Sequence, residues 1–125
     1  MAIEIWYPFY LVDRVTLDAS GIGSAVLKIS AGDFFEGDEI DFILSAGTFN
    51  IIAIKDQGGK GYTNAGAADP LPSAAFLTSL EQRTNFHKFA TPLVLLPEGQ
   101  LQIDFSGGTA SATIDVIIKG KKRVV

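Results

Sequence analysis

With one histidine, no cysteine and a scatter of carboxylates, this chain offers few groups to catalysis. His87 stands alone, so a metal site built from several imidazoles on a β-fold cannot be assembled from it. A hydrolytic triad would have to run through the same residue, yet no serine sits in a Gly-x-Ser-x-Gly elbow. Beside Phe86 and Lys88, His87 reads as a surface or loop residue. The stretch DFFEGDEID crowds Asp33, Glu36, Asp38, Glu39 and Asp41 together. Hard cations take several carboxylate oxygens, which brings calcium to mind, but the spacing is not that of an EF-hand loop and Phe34 and Phe35 interrupt it. A solvated loop over Asp33 to Asp38, running into a polar strand face, is the simpler reading. QGGKGYT has glycines before Lys60, as a phosphate loop does, but Gly61 stands where Ser or Thr is needed. GIGSAV has Val26 in place of the third glycine of a dinucleotide fingerprint. These residues lead to the expectation of a protein that is not an enzyme and uses no cofactor or metal.

Two other clusters carry the chemistry of adhesion. WYPFY sets Trp6, Tyr7, Phe9 and Tyr10 around Pro8. Such rings stack on sugars, or pack on the protein's own sheet or a partner subunit, and the scarcity of orienting polar groups beside them favours packing. At the other end, Lys119, Lys121, Lys122 and Arg123 supply four of the ten basic residues. The formal net charge is -4, and without these four the remainder carries 6 − 14 = -8. A body so acidic is a poor general nucleic-acid binder, while its basic end is either a solvated tail or a dock for an acidic partner. The eight residues Trp6, Tyr7, Phe9, Tyr10, Lys119, Lys121, Lys122 and Arg123 form the candidate partner interface.

The elements that must position them read as strands. At 125 residues and 47% apolar, the chain is expected to be one domain, residues 1–125. Thirteen glycines and nine phenylalanines point to turns and strands. Ile3 to Leu17 is extended, and Pro8 marks it as an edge strand or a bend. Ala25, Leu27 and Ile29 alternate with polar or outward neighbours, and Ile40, Phe42 and Leu44 share a face opposite Glu39 and Asp41. From Thr48 to Asp56, Phe49, Ile51 and Ala53 take one side, Ile52 and Ile54 the other. Gln57 to Pro72 is too poor in large apolar residues to be core and belongs at the surface. Ser73 to Arg83 has the pattern of a short helix capped by Ser73, at a marginal length. Pro97-Glu98-Gly99 is a turn in which glycine is expected to take the unusual dihedral. Leu101, Ile103 and Phe105, then Ala112, Ile114, Val116 and Ile118, alternate so strictly that one face of each strand must be buried. Seven or eight such strands describe an all-β antiparallel β-sandwich, jelly-roll-like, with at most one short helix. No apolar run reaches the roughly 18 residues of a bilayer span, and MAIEIWYPFY lacks the basic start and cleavage site of a signal peptide. Folding in the cytoplasm is expected.

FNIIAIKDQGGKGYTN, followed by TPLVLLPEGQLQIDFSGGTASATIDVIIKGKKR, resembles the pattern of small virion proteins encoded beside the major capsid protein in many tailed bacteriophages. The matching positions are Pro92, Leu93, Leu95, Pro97 and Gly99, then Leu101 to Phe105 and Ile114 to Lys121, within roughly residues 48 to 123. The resemblance implies a capsid cement or decoration protein on the outside of a phage head, assembled in the host cytoplasm. The implied partners are the major capsid protein across neighbouring capsomers and a second copy in a homodimer, with no direct contact to nucleic acid or membrane. Residues 66 to 88 do not align with the pattern. A head fibre base, vertex or neck protein would share the sandwich, and a carbohydrate-binding module using Trp6, Tyr7 and Tyr62 is the alternative from another class.

Overall fold

The computed structural model describes residues 5–76 and 88–124. Eight strands run in chain order: β1 (Ile5–Thr16), β2 (Gly23–Lys28), β3 (Asp33–Leu44), β4 (Asn50–Asp56), β5 (Leu71–Pro72), β6 (Lys88–Leu95), β7 (Gln100–Phe105) and β8 (Thr113–Val124). They form two four-stranded sheets, ordered β1-β8-β3-β6 and β2-β7-β4-β5. The pairs β1·β8, β2·β7, β3·β6 and β4·β5 are all antiparallel, as if one long hairpin ribbon had been wrapped around itself. That order is the jelly roll, so the all-β sandwich expected from the alternation is the fold.

The core lies between the sheets and is filled by the residues whose period of two marked them as inward. Ile40 and Phe42 of β3 and Ile114, Val116 and Ile118 of β8 meet Ala25, Leu27, Leu101, Ile103 and Phe105 of the second sheet. Phe42 sits among three other rings, 5.1 Å from Phe49, 4.6 Å from Phe76 and 6.4 Å from Phe105 between centroids, in the tilted and edge-on arrangements aromatic quadrupoles prefer. Pro8 fits its expected place, because β1 is the outer strand of its sheet. The facing edge is closed at one point: the Val26 N–H donates to Asp13 Oδ2 at 2.8 Å, so an inward carboxylate covers a backbone donor of edge strand β2.

Several local expectations are corrected. Asp33 to Asp38 is not a loop but the first half of β3, paired on one side with β8 and, from Phe35, on the other with β6. In β4 the simple alternation fails after Ile51, where the register with β7 shifts: Ile51 faces Phe105 and the next inward position is Ile54, opposite Ile103. Ala53 therefore does not continue the face of Ile51. The surface connection from Gln57 is largely exposed, but its last two residues form β5 against Asn50 and Ile51. Of the helix expected from Ser73, a single 3₁₀ turn is present at Ser73–Ala75, and 77–83 lies outside the described residues, as does His87. In the turn after β6, Glu98 rather than Gly99 takes the positive φ of 63°. Glycine is still required at 99, because a Cβ there would lie 2.6 Å from the Leu96 carbonyl oxygen.

Candidate functional site

The pairing of first with last strand brings the two sequence clusters together. Trp6 lies opposite Arg123, Tyr7 opposite Lys122, Pro8 opposite Lys121, Phe9 opposite Gly120 and Tyr10 opposite Lys119. On its other side β8 pairs with β3, which sets Phe34 beside Arg123, Glu36 beside Lys121, and Glu39 beside Lys119. The basic end is thus no solvated tail: it is half of a central strand, flanked by an aromatic strand and an acidic one.

Parity divides the eight candidates between two faces. Trp6, Tyr10, Lys119, Lys121 and Arg123 lie on the outer face of the first sheet, because Ile114, Val116 and Ile118 alternate with them into the core. Lys119 Nζ reaches Asp41 at 2.7 Å and Glu39 at 3.3 Å, and these hydrogen bonds raise its pKa above the usual lysine value, Asp41 contributing most. Lys121 Nζ lies 3.3 Å from Glu36 and 5.2 Å from the centre of the Trp6 ring. The Arg123 guanidinium lies between two rings, 4.0 Å from the centre of Phe34 and 5.7 Å from that of Trp6. Further along the face, Arg14 Nε donates to Asp115 Oδ1 at 2.7 Å, which holds the Asp115 carboxyl below the usual range.

Tyr7, Phe9 and Lys122 take the opposite parity and crowd the end of the inner face. Lys122 Nζ sits 2.8 Å from Asp33 and 4.5 Å from the centre of the Phe9 ring, with only 15% of its side chain exposed and 14% of that of Asp33. The hydrogen bond to Asp33 is the main cause of its raised pKa. Lys122 is therefore a tether between the end of β8 and the start of β3, with Tyr7 and Phe9 beside it.

Four of the five acidic residues weighed for calcium are engaged in this way, and Asp38 is exposed. Glu36, Glu39 and Asp41 pair with lysines on the outer face, while Asp33 pairs on the inner one. The lysine loop is also built around a carboxylate: Asp56 Oδ1 accepts from the N–H groups of Gly58 and Lys60, and the Tyr62 hydroxyl donates to Oδ2 at 3.1 Å. A loop whose amides already surround an acid is not a phosphate cradle. The aromatic set proposed for a glycan is not assembled either. Trp6 and Tyr7 are on opposite faces of β1, and Tyr62 follows β4 in the other sheet.

Sequence reasoning missed the carboxylates of β3 as partners of β8, and it missed Val12, Ile43 and Val94, which are large, apolar and exposed on the same outer face. The signal was present as opposite charge: an acidic strand and a basic strand in an all-β chain are each other's natural neighbours. Comparison of the chain with protein-family models, with curated proteins and with solved structures returns no match.

Proposed function

We propose that this chain is a virion structural protein, a capsid cement or decoration protein that binds the major capsid protein across capsomers on the outside of a phage head. The observation that supports the reading is the convergence of Trp6, Tyr10, Lys119, Lys121 and Arg123, from the two ends of the chain, on one ion-paired sheet face. The residue pattern from Phe49 to Arg123 that resembles phage decoration proteins, and the sandwich fold itself, support it further. A packed double-stranded genome presses its shell outward, and a clip that binds only the closed lattice stabilises it by mass action. Many copies multiply a modest contact. In this role the chain works as a homodimer, is assembled in the host cytoplasm, and performs no reaction.

The test is a thermal one. Heads purified without this chain are mixed with increasing amounts of it, and genome release is followed by dye fluorescence during heating. The release temperature is expected to rise and to saturate with occupancy. Heads that release their genome at the same temperature with and without the chain would defeat the proposal.

A further inference from the structure

The two outer faces of the sandwich differ in character. On the second sheet, Asp104 gathers a polar network: Ser24 Oγ donates to it at 2.7 Å, Gln102 Nε2 at 2.8 Å, and Lys55 Nζ lies 3.7 Å away. On the first sheet, Tyr10, Val12, Ile43 and Val94 are all at least half exposed, at 59%, 60%, 57% and 50%. Charge divides the same way. The outer face of the whole sheet carries the cations Arg14, Lys88, Lys119, Lys121 and Arg123 against the anions Glu36, Asp38, Glu39, Asp41 and Asp115, which is 5 − 5 = 0. The remaining residues then carry 5 − 9 = -4, the whole net charge of the chain.

We infer that the outer face of the first sheet is a docking face for an apolar protein surface without net charge, held by exclusion of water and not by attraction of the basic strand for acids. The inference rests on the adhesive role proposed above and names the face and the chemistry of the partner. Complementarity points this way because the lysines that would seek an acidic partner already hold carboxylates of their own sheet. A nucleic acid would meet five carboxylates on this face, and a partner of either strong charge would have to break existing ion pairs. The area fits as well. Three twelve-residue strands at about 3.3 Å per residue and the eight-residue β6 beside them, spaced about 4.8 Å apart, give about 700 Å². A stable protein interface takes about 800 Å² from each partner.

The experiment uses the full chain and, as probe, heads assembled from the major capsid protein of the same virus. A double variant, Val12→Asp with Ile43→Lys, keeps the net charge and alters two exposed positions, so its melting temperature is expected to match that of the wild type. Its binding to heads is expected to fall at least roughly 100-fold, because two apolar contacts are lost and each new charge must give up its water to enter the interface, even though position 43 lies opposite Asp115. Val26→Asp on the other face is expected to bind like the wild type. Wild-type binding is expected to hold between about 0.1 and 1 M salt, where the Debye length falls from about 10 to 3 Å. Two results would overturn the inference: undiminished binding by the double variant, whether or not it still associates with itself in sedimentation, or wild-type binding lost on adding salt. Absence of any wild-type binding would sink the capsid role along with it, whereas the other outcomes leave that role standing.

Discussion

Gly120→Ala tests the register on which the outer face depends. Gly120 lies in β8 opposite Gly37 of β3, at the point where the β3 register shifts between Gly37 and Glu39. A Cβ added there would sit 2.0 Å from the Glu36 carbonyl oxygen and 2.8 Å from Gly37 Cα. Comfortable carbon–oxygen contact begins near 3.3 Å, so one backbone must retreat by about 1.3 Å. Ladder hydrogen bonds of about 2.9 Å do not survive such a displacement. Two lost bonds at about 1 kcal/mol each, with about 1 kcal/mol or more for overpacking, total roughly 3 kcal/mol. For a chain of this length that lowers the melting temperature by about 10 °C. The assay is thermal and urea unfolding of the variant beside Gly66→Ala, where an added Cβ meets nothing within 4 Å. Gly120→Ala melting within about 3 °C of Gly66→Ala would mean that β3 and β8 do not approach so closely, and the pairing of Glu36 with Lys121 would fall with it.

Three further outcomes follow from the same structure. Phe42→Ala empties the centre of the aromatic cluster and is expected to cost about 3–5 kcal/mol, read as a lower urea midpoint with unchanged slope. Lys122→Ala breaks the nearly buried pair with Asp33 and the contact with Phe9, at a cost of about 1–2 kcal/mol by the same assay. Because the folded pKa of Lys122 is raised, its stabilisation is complete below the unfolded value near 10.4 and is lost as pH climbs through the folded one, so the variant's deficit should shrink in alkaline melts. Asp56 is shifted the other way, chiefly by the Lys60 amide. Its stabilisation is present above the unfolded value near 3.9 and lost as pH falls through the lower folded one, so Asp56→Asn should lose less melting temperature than the wild type between about pH 5 and 2.

Alternation alone identified the inward sets of β2, β7 and β8, because a buried face tolerates no break in a period of two. It failed where the period itself breaks. The shift after Ile51 moves the inward position to Ile54, and nothing in a run of adjacent isoleucines reports which one a partner strand will skip. The start of β3 was hidden for another reason. Asp33 and Glu36 look solvated when read locally, and only the lysines of β8, 89 and 85 residues away, show them to be strand residues. Glu98 likewise shows local chemistry overruled: the close approach of Gly99 to Leu96 reserves glycine for that position and leaves the positive φ to its neighbour.

The candidate interface was legible as two ends and illegible as one surface, and the fold supplies the difference. In a jelly roll the first strand pairs with the last, so aromatic and basic segments that lie more than a hundred residues apart become adjacent rows. The third strand then joins on the far side and brings carboxylates to the same lysines. This changes what the basic end is able to do. A lone lysine carried into an interface loses its hydration with nothing in return, whereas one already held by Asp41 and Glu39 brings its counter-charge with it. Pairing within the sheet therefore turns a strand that reads as an electrostatic hook into part of a neutral platform. Trp6, Tyr10, Val12 and Ile43 can then lose their water on that platform without also stranding a charge.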